Sequence, residues 1–131
     1  MVPYNKYVLL RVLAWHNWCE HGARRVGGER FGLCVRFTCK DEAAAEGYDQ
    51  LVAETIEAIK ANEPGTLVYA SHTVEGQPLQ RIFYELYRDR AAFEAHEASP
   101  HTRRYLEARD QYLASTEVDW LTLQTGKGTG G

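Results

Sequence analysis

The sequence predicts an α+β protein: one antiparallel sheet with helices on one face and a second copy of the chain on the other. Three observations carry this. Apolar residues recur at every second position in some stretches and at helical spacing in the segments between them. The order is strand, helix, two strands joined by a tight turn, helix, and a last strand. The strands also carry bulky apolar residues on both faces, as in Tyr69 beside Val68 and Phe83 beside Tyr84, whereas the helices can cover only one.

Residues 1–30 read as a helical extension and linker. Tyr4, Val8, Val12 and Trp15 share a helix face with Leu9 and Leu13 beside them, and the polar stretch from His16 ends at Gly27 and Gly28. Arg11 interrupts the apolar run, and no small-residue cleavage site follows, so the expectation is a docked amphipathic helix and not a removed leader. The run is too short to span a bilayer.

The main domain is expected over residues 31–124. Leu33, Val35, Phe37 and Cys39 alternate with Cys34, Arg36 and Thr38, which is a strand. Asp41 is an N-cap candidate for a helix marked by Ala44, Tyr48, Leu51, Val52, Thr55 and Ile59. Glu63-Pro64-Gly65 stops that helix, because proline disfavours helical backbone in the residue before it. Thr66 to Val74 is a second strand, Glu75 to Pro78 a turn, and Gln80 to Tyr87 a third strand rich in aromatic and β-branched residues. Asp89 caps a helix to about Ala98, and Pro100 starts another with Tyr105, Ala108 and Tyr112 on one face. Val118 to Leu123 is the last strand, and 125–131 is expected to be a flexible tail. This order is the split βαβ, or ferredoxin-like, arrangement.

With 131 residues, 44% hydrophobic and 25% charged, the chain fits one globular domain. A net charge of -3 argues against nucleic acid, whose phosphates want a basic surface. An odd count of three cysteines argues against a disulfide framework. Cys34 and Cys39, an odd number of positions apart on one strand, point to opposite faces and cannot bridge. Reduced thiols fit a cytoplasmic protein, with no membrane partner expected. His16, Cys19 and His21 are metal-capable but lack a fourth ligand, so no metal is expected, and no dinucleotide fingerprint or nucleophile motif is present.

Two stretches resemble a known family. Glu63-Pro64-Gly65-Thr66-Leu67-Val68-Tyr69 is similar to the helix-to-strand step of the antibiotic biosynthesis monooxygenases. Phe83-Tyr84-Glu85-Leu86-Tyr87-Arg88-Asp89, followed by Ala92-Phe93, His96, Ser99 and His101, resembles their next conserved stretch in order and spacing. The resemblance covers about residues 31–123. It implies a dimeric α+β barrel with a pocket between sheet and helices. It also implies oxidation of a phenol- or quinol-like aromatic by O2 without a cofactor. Some members carry Trp on the second strand and Asn on the first. Here Thr66–Val74 has no Trp and Leu33–Cys39 no Asn, which separates this chain from the haem-degrading members.

Glu85 shares a strand face with Phe83 and Tyr87, and a carboxylate in that company needs a partner: a substrate proton, or structurally Arg81 or His96. His96 follows Ala92 and Phe93 on one helix face and points inward, where an imidazole can move a proton near neutral pH. These two are the candidate catalytic residues, expected to meet across one pocket. Tyr69, His72, Phe83, Tyr87 and Phe93, with Asn62 in place of the missing strand Asn, are the candidate substrate contacts. The expected function is a cofactor-independent monooxygenase acting on a small aromatic substrate and O2. The alternatives are a non-enzymatic binding protein for an aromatic metabolite, or an isomerase or cyclase using proton transfer alone.

Overall fold

A computed structural model describes residues 29–130. The expected N-terminal helix and the His16, Cys19, His21 group lie outside them. The elements are β1 (Phe31–Cys39), α1 (Glu42–Asn62), β2 (Thr66–Val74), β3 (Gln77–Tyr87), α2 (Arg90–Ala98), α3 (Pro100–Ala108), a 3₁₀ turn (Arg109–Gln111) and β4 (Leu113–Thr122). The strands form one antiparallel sheet in the order β2-β3-β1-β4. This is the ferredoxin-like α+β arrangement that the element order implies.

Local chemistry sets the helix starts. The Asp41 carboxylate accepts from the Ala44 amide and the Asp89 carboxylate from the Ala92 amide, each at 2.8 Å, satisfying donors that the first helical turn leaves open. Pro100 opens α3, where its missing N–H costs nothing.

Two strand starts differ from the expectation. β3 begins at Gln77 and not Gln80, because Gly76 at φ 77° closes a two-residue turn and pairing starts at once with Val74↔Gln77. β4 begins at Leu113 and not Val118. Ala114 to Glu117 look like a loop, yet their backbone pairs with β1, as in Thr38↔Ser115 and Arg36↔Glu117. On an outer strand those polar side chains stay in contact with water.

The register sorts the sheet into two faces. Phe31, Leu33, Val35 and Phe37 of β1 share a face with Phe83, Glu85 and Tyr87 of β3, and with Tyr69 of β2. Leu33, Val35 and Phe83 are fully buried there against Tyr48 and Val52 of α1, Phe93 of α2, and Tyr105 and Leu106 of α3. Each large apolar side chain buried this way contributes roughly 1.5–3 kcal/mol. The other face carries Cys34 and Arg36, Ile82, Tyr84 and Leu86, Val68, Ala70 and His72, and Leu121. Cys34 and Cys39 are both free thiols. Beyond β4 the chain is held at the end of the sheet: Arg30 donates to the carbonyls of Thr129 and Gly130, both at 3.2 Å, and of Arg88 at 3.1 Å. Among the described residues no helix is long and apolar enough to cross a membrane.

Candidate functional site

The α1-to-β2 step and the α2–α3 corner meet at one carboxylate. Glu63 caps the C-terminus of α1, where Pro64 ends the helix. Its side chain is only 6% exposed. Oε1 accepts from His96 Nδ1 on α2 at 2.8 Å and from Thr66 Oγ1 on β2 at 2.6 Å. Oε2 accepts from His101 Nε2 on α3. Burial by itself would raise the Glu63 pKa. The hydrogen bonds and charge of His96, with the bonds from Thr66 and His101, outweigh it and hold the group down at about 2.

An ionised carboxylate can only accept, so the His96 Nδ1 it binds must carry the hydrogen. In the neutral ring the lone pair is therefore on Nε2. The His96 side chain is 1% exposed, and Nε2 has no hydrogen-bond partner among the described residues. The rings of Tyr69 and Tyr87 lie 5.3 and 5.2 Å from the imidazole. The result is a base aimed into an aromatic interior and steadied from behind by a carboxylate. That arrangement can take a proton from an acidic O–H or C–H brought to Nε2.

The neighbouring Ser99 gives no nucleophile. Its Oγ is 3.1 Å from His101 Nε2, the same nitrogen that Glu63 binds. A serine–histidine–carboxylate relay needs the serine and the acid on opposite ring nitrogens.

Glu85 and His96 are both buried on the helix-covered side of the sheet, but they are not hydrogen-bonded to each other. Glu85 accepts from the Tyr87 hydroxyl at 2.6 Å, two residues along the same strand face. Arg81, the other expected partner, instead pairs with Asp49 through two bonds of 2.8 and 2.9 Å. Tyr87 thus stands between the two candidate catalytic groups, with its ring on His96 and its hydroxyl on Glu85. Phe83 and Phe93 are buried core rings, and Tyr69 packs on Phe83 at 5.7 Å while remaining half-buried.

Two expected contacts fall elsewhere. His72 lies on the opposite face from Tyr69, opposite Ile82, and its Nδ1 is 3.0 Å from the Ile82 carbonyl. An odd offset along a strand reverses the face. Asn62 is exposed on the last turn of α1 and donates to the Ala58 carbonyl at 2.8 Å.

Glu63 is the functional candidate that sequence reasoning missed. It sits at a helix cap, outside both periodicities. The available signal was a carboxylate fixed just before Pro-Gly, with His96 and His101 on either side of Pro100, which starts α3. A second buried polar group lies beside the core: Tyr48 and Tyr105 share a 2.6 Å hydrogen bond, and the Arg109 guanidinium lies 5.5 Å over Phe37 and 5.6 Å over Tyr105. Burial raises the pKa of both phenols, so they stay protonated. Among the described residues no cluster of three or more His, Cys, Asp or Glu side chains could hold a metal.

The sequence model of the antibiotic biosynthesis monooxygenase family matches residues 31–108. No curated protein matches the sequence. Similar solved structures include a candidate antibiotic biosynthesis monooxygenase from Bacteroides thetaiotaomicron, 28% identical over 68% of this chain and 84% of that one, with a TM-score of 0.63. Another, also described as a candidate for that activity, is from Caulobacter crescentus: 20% identity, 81% of this chain, 99% of that one, TM-score 0.72. A Mycobacterium tuberculosis protein is 21% identical over 74% of this chain and 97% of its own, with a TM-score of 0.67. The last two likenesses establish the fold.

Proposed function

Because the chain belongs to the antibiotic biosynthesis monooxygenase family, we propose that it is a cofactor-independent monooxygenase for a phenol- or quinol-like aromatic, with His96 as its base. The observation that carries this reading is the buried lone pair of His96 Nε2, held in one tautomer by Glu63 and set among Tyr69 and Tyr87.

In this scheme a planar ring reaches Nε2 by displacing the half-buried Tyr69 ring on the outer strand. His96 takes the phenolic proton at Nε2, and the imidazolium keeps its Nδ1–H on Glu63. The ring anion gives one electron to O2, and the two radicals join to form a carbon–oxygen bond. The peroxide takes the proton back from Nε2. The O–O bond then breaks as the hydrogen on the same ring carbon leaves, so one oxygen atom becomes a carbonyl and the other becomes water. Excluding water from the aromatic interior protects the anion from simple reprotonation. Glu85 acts through Tyr87, as a positioning group for the ring that packs on His96.

We place this chemistry in residues 31–124, with the working unit a homodimer in the cytoplasm. The open sheet face with Ile82, Tyr84, Val68 and Leu121 is the surface that a second copy would cover.

Anthrone, whose phenol tautomer is 9-anthrol, is a suitable probe: with one O2 it gives anthraquinone and water. Enzyme-dependent oxygen uptake and anthraquinone formation should fall about 10²–10⁴-fold in His96→Ala. Anthrone binding with no uptake above the spontaneous rate would favour a binding protein. Proton exchange without oxygen uptake would favour an isomerase.

A further inference from the structure

One carboxylate serves two imidazoles. Glu63 binds His96 Nδ1 through Oε1 and His101 Nε2 through Oε2, and the two histidines come from different helices. The His101 side chain is 10% exposed against 1% for His96, so the outer ring is nearer to solvent than the inner one. We infer that His101 is a positioning residue of the proposed reaction, setting how strongly His96 holds a proton through the carboxylate they share. The inference rests on the reading of His96 as the base.

The physical reason is competition. A single negative charge supports one imidazolium well and two poorly. When His101 is protonated it draws on Glu63 and adds a like charge beyond it, so His96 gives up its proton more readily. When His101 is neutral it still donates a hydrogen bond, but it adds no repulsion. The other titratable groups facing His96 are Tyr69 from β2 and Tyr87 from β3, with Glu85 behind Tyr87. Thr66 and Thr102 contribute only hydroxyls, Thr102 Oγ1 lying 3.4 Å from His96 Nδ1. The less buried member of the pair thus gives the buried base a line to external pH without contact with substrate.

Ring ¹⁵N signals of His96 can be followed against pH in the full chain with no substrate present. In His101→Ala the His96 transition should move to higher pH by about one unit, the size of a strongly coupled pair. His101→Gln keeps a donor for Oε2 but cannot carry charge, and should fall between Ala and the natural residue. In anthrone turnover the acid limb should move in the same direction, with kcat affected more than KM. Circular dichroism checks that each variant is folded. If His96 titrates alike in the natural chain and both variants while Glu63→Gln moves it, the coupling is refuted. Because the titration needs no turnover, a chain inactive on anthrone would sink the monooxygenase reading and leave the coupling standing.

Discussion

Replacing Glu63 by Gln removes the charge on which the α1-to-β2 step, α2 and α3 converge. The natural group is held from 4.5 down to about 2 in the fold, and each pKa unit corresponds to about 1.4 kcal/mol. The ionised carboxylate therefore contributes about 3 kcal/mol. Because the folded pKa is depressed, this stability is complete above the unfolded value and lost as pH falls toward the folded one. The window runs from 4.5 down to about 2. About 2 kcal/mol of the contribution should be gone by pH 3. Urea unfolding followed by tryptophan fluorescence would give the free energy of both chains at pH 6 and pH 3. Glu63→Gln should be less stable by about 3 kcal/mol at pH 6, with the gap closing to about 1 kcal/mol at pH 3. Two profiles that run parallel, with the gap unchanged, would refute the claim that this carboxylate is ionised and paired in the fold.

Other substitutions test the packing. Tyr48→Phe removes the 2.6 Å bond to Tyr105 and should cost about 1–2 kcal/mol in thermal unfolding. Gly32→Ala places a Cβ 2.8 Å from the Glu85 carbonyl oxygen, a backbone atom that cannot swing away. A lowered melting temperature, equivalent to about 1–3 kcal/mol, is expected. Ile82→Asp puts a charge on the open face of the sheet and should shift the chain from dimer to monomer in sedimentation at micromolar concentration. A natural chain that is already monomeric would exclude the proposed assembly.

Periodicity makes most of the fold legible. Leu33, Val35 and Phe37 alternate cleanly because β1 is central and its inner face is dry, and the α1 stripe is legible for the same reason. The start of β4 is hidden because an outer strand can be polar wherever its side chains meet water. In the site, the inward direction of His96 follows from its offset of three from Phe93. Its partner does not follow, because contacts between helix ends depend on how α1, α2 and α3 pack. Glu85 illustrates the same limit. Its burial is readable from Phe83 and Tyr87, whereas its hydrogen bond to Tyr87 needs the coordinates. The place of His72 is legible from alternation alone, since an offset of three along β2 sets it on the face opposite Tyr69.

The most direct measurement of the proposed base uses the chain with ring ¹⁵N-labelled histidine, titrated with 2-naphthol, a phenol that needs no oxygen to bind. Naphthol fluorescence reports binding and ionisation, and the ring nitrogens report which histidine responds. The expected result is a change at His96 Nε2 that saturates with the fluorescence signal, while His72 on the far face stays still. Saturable binding that leaves the His96 signals unmoved would contradict the assignment of His96 as the group that meets the phenol.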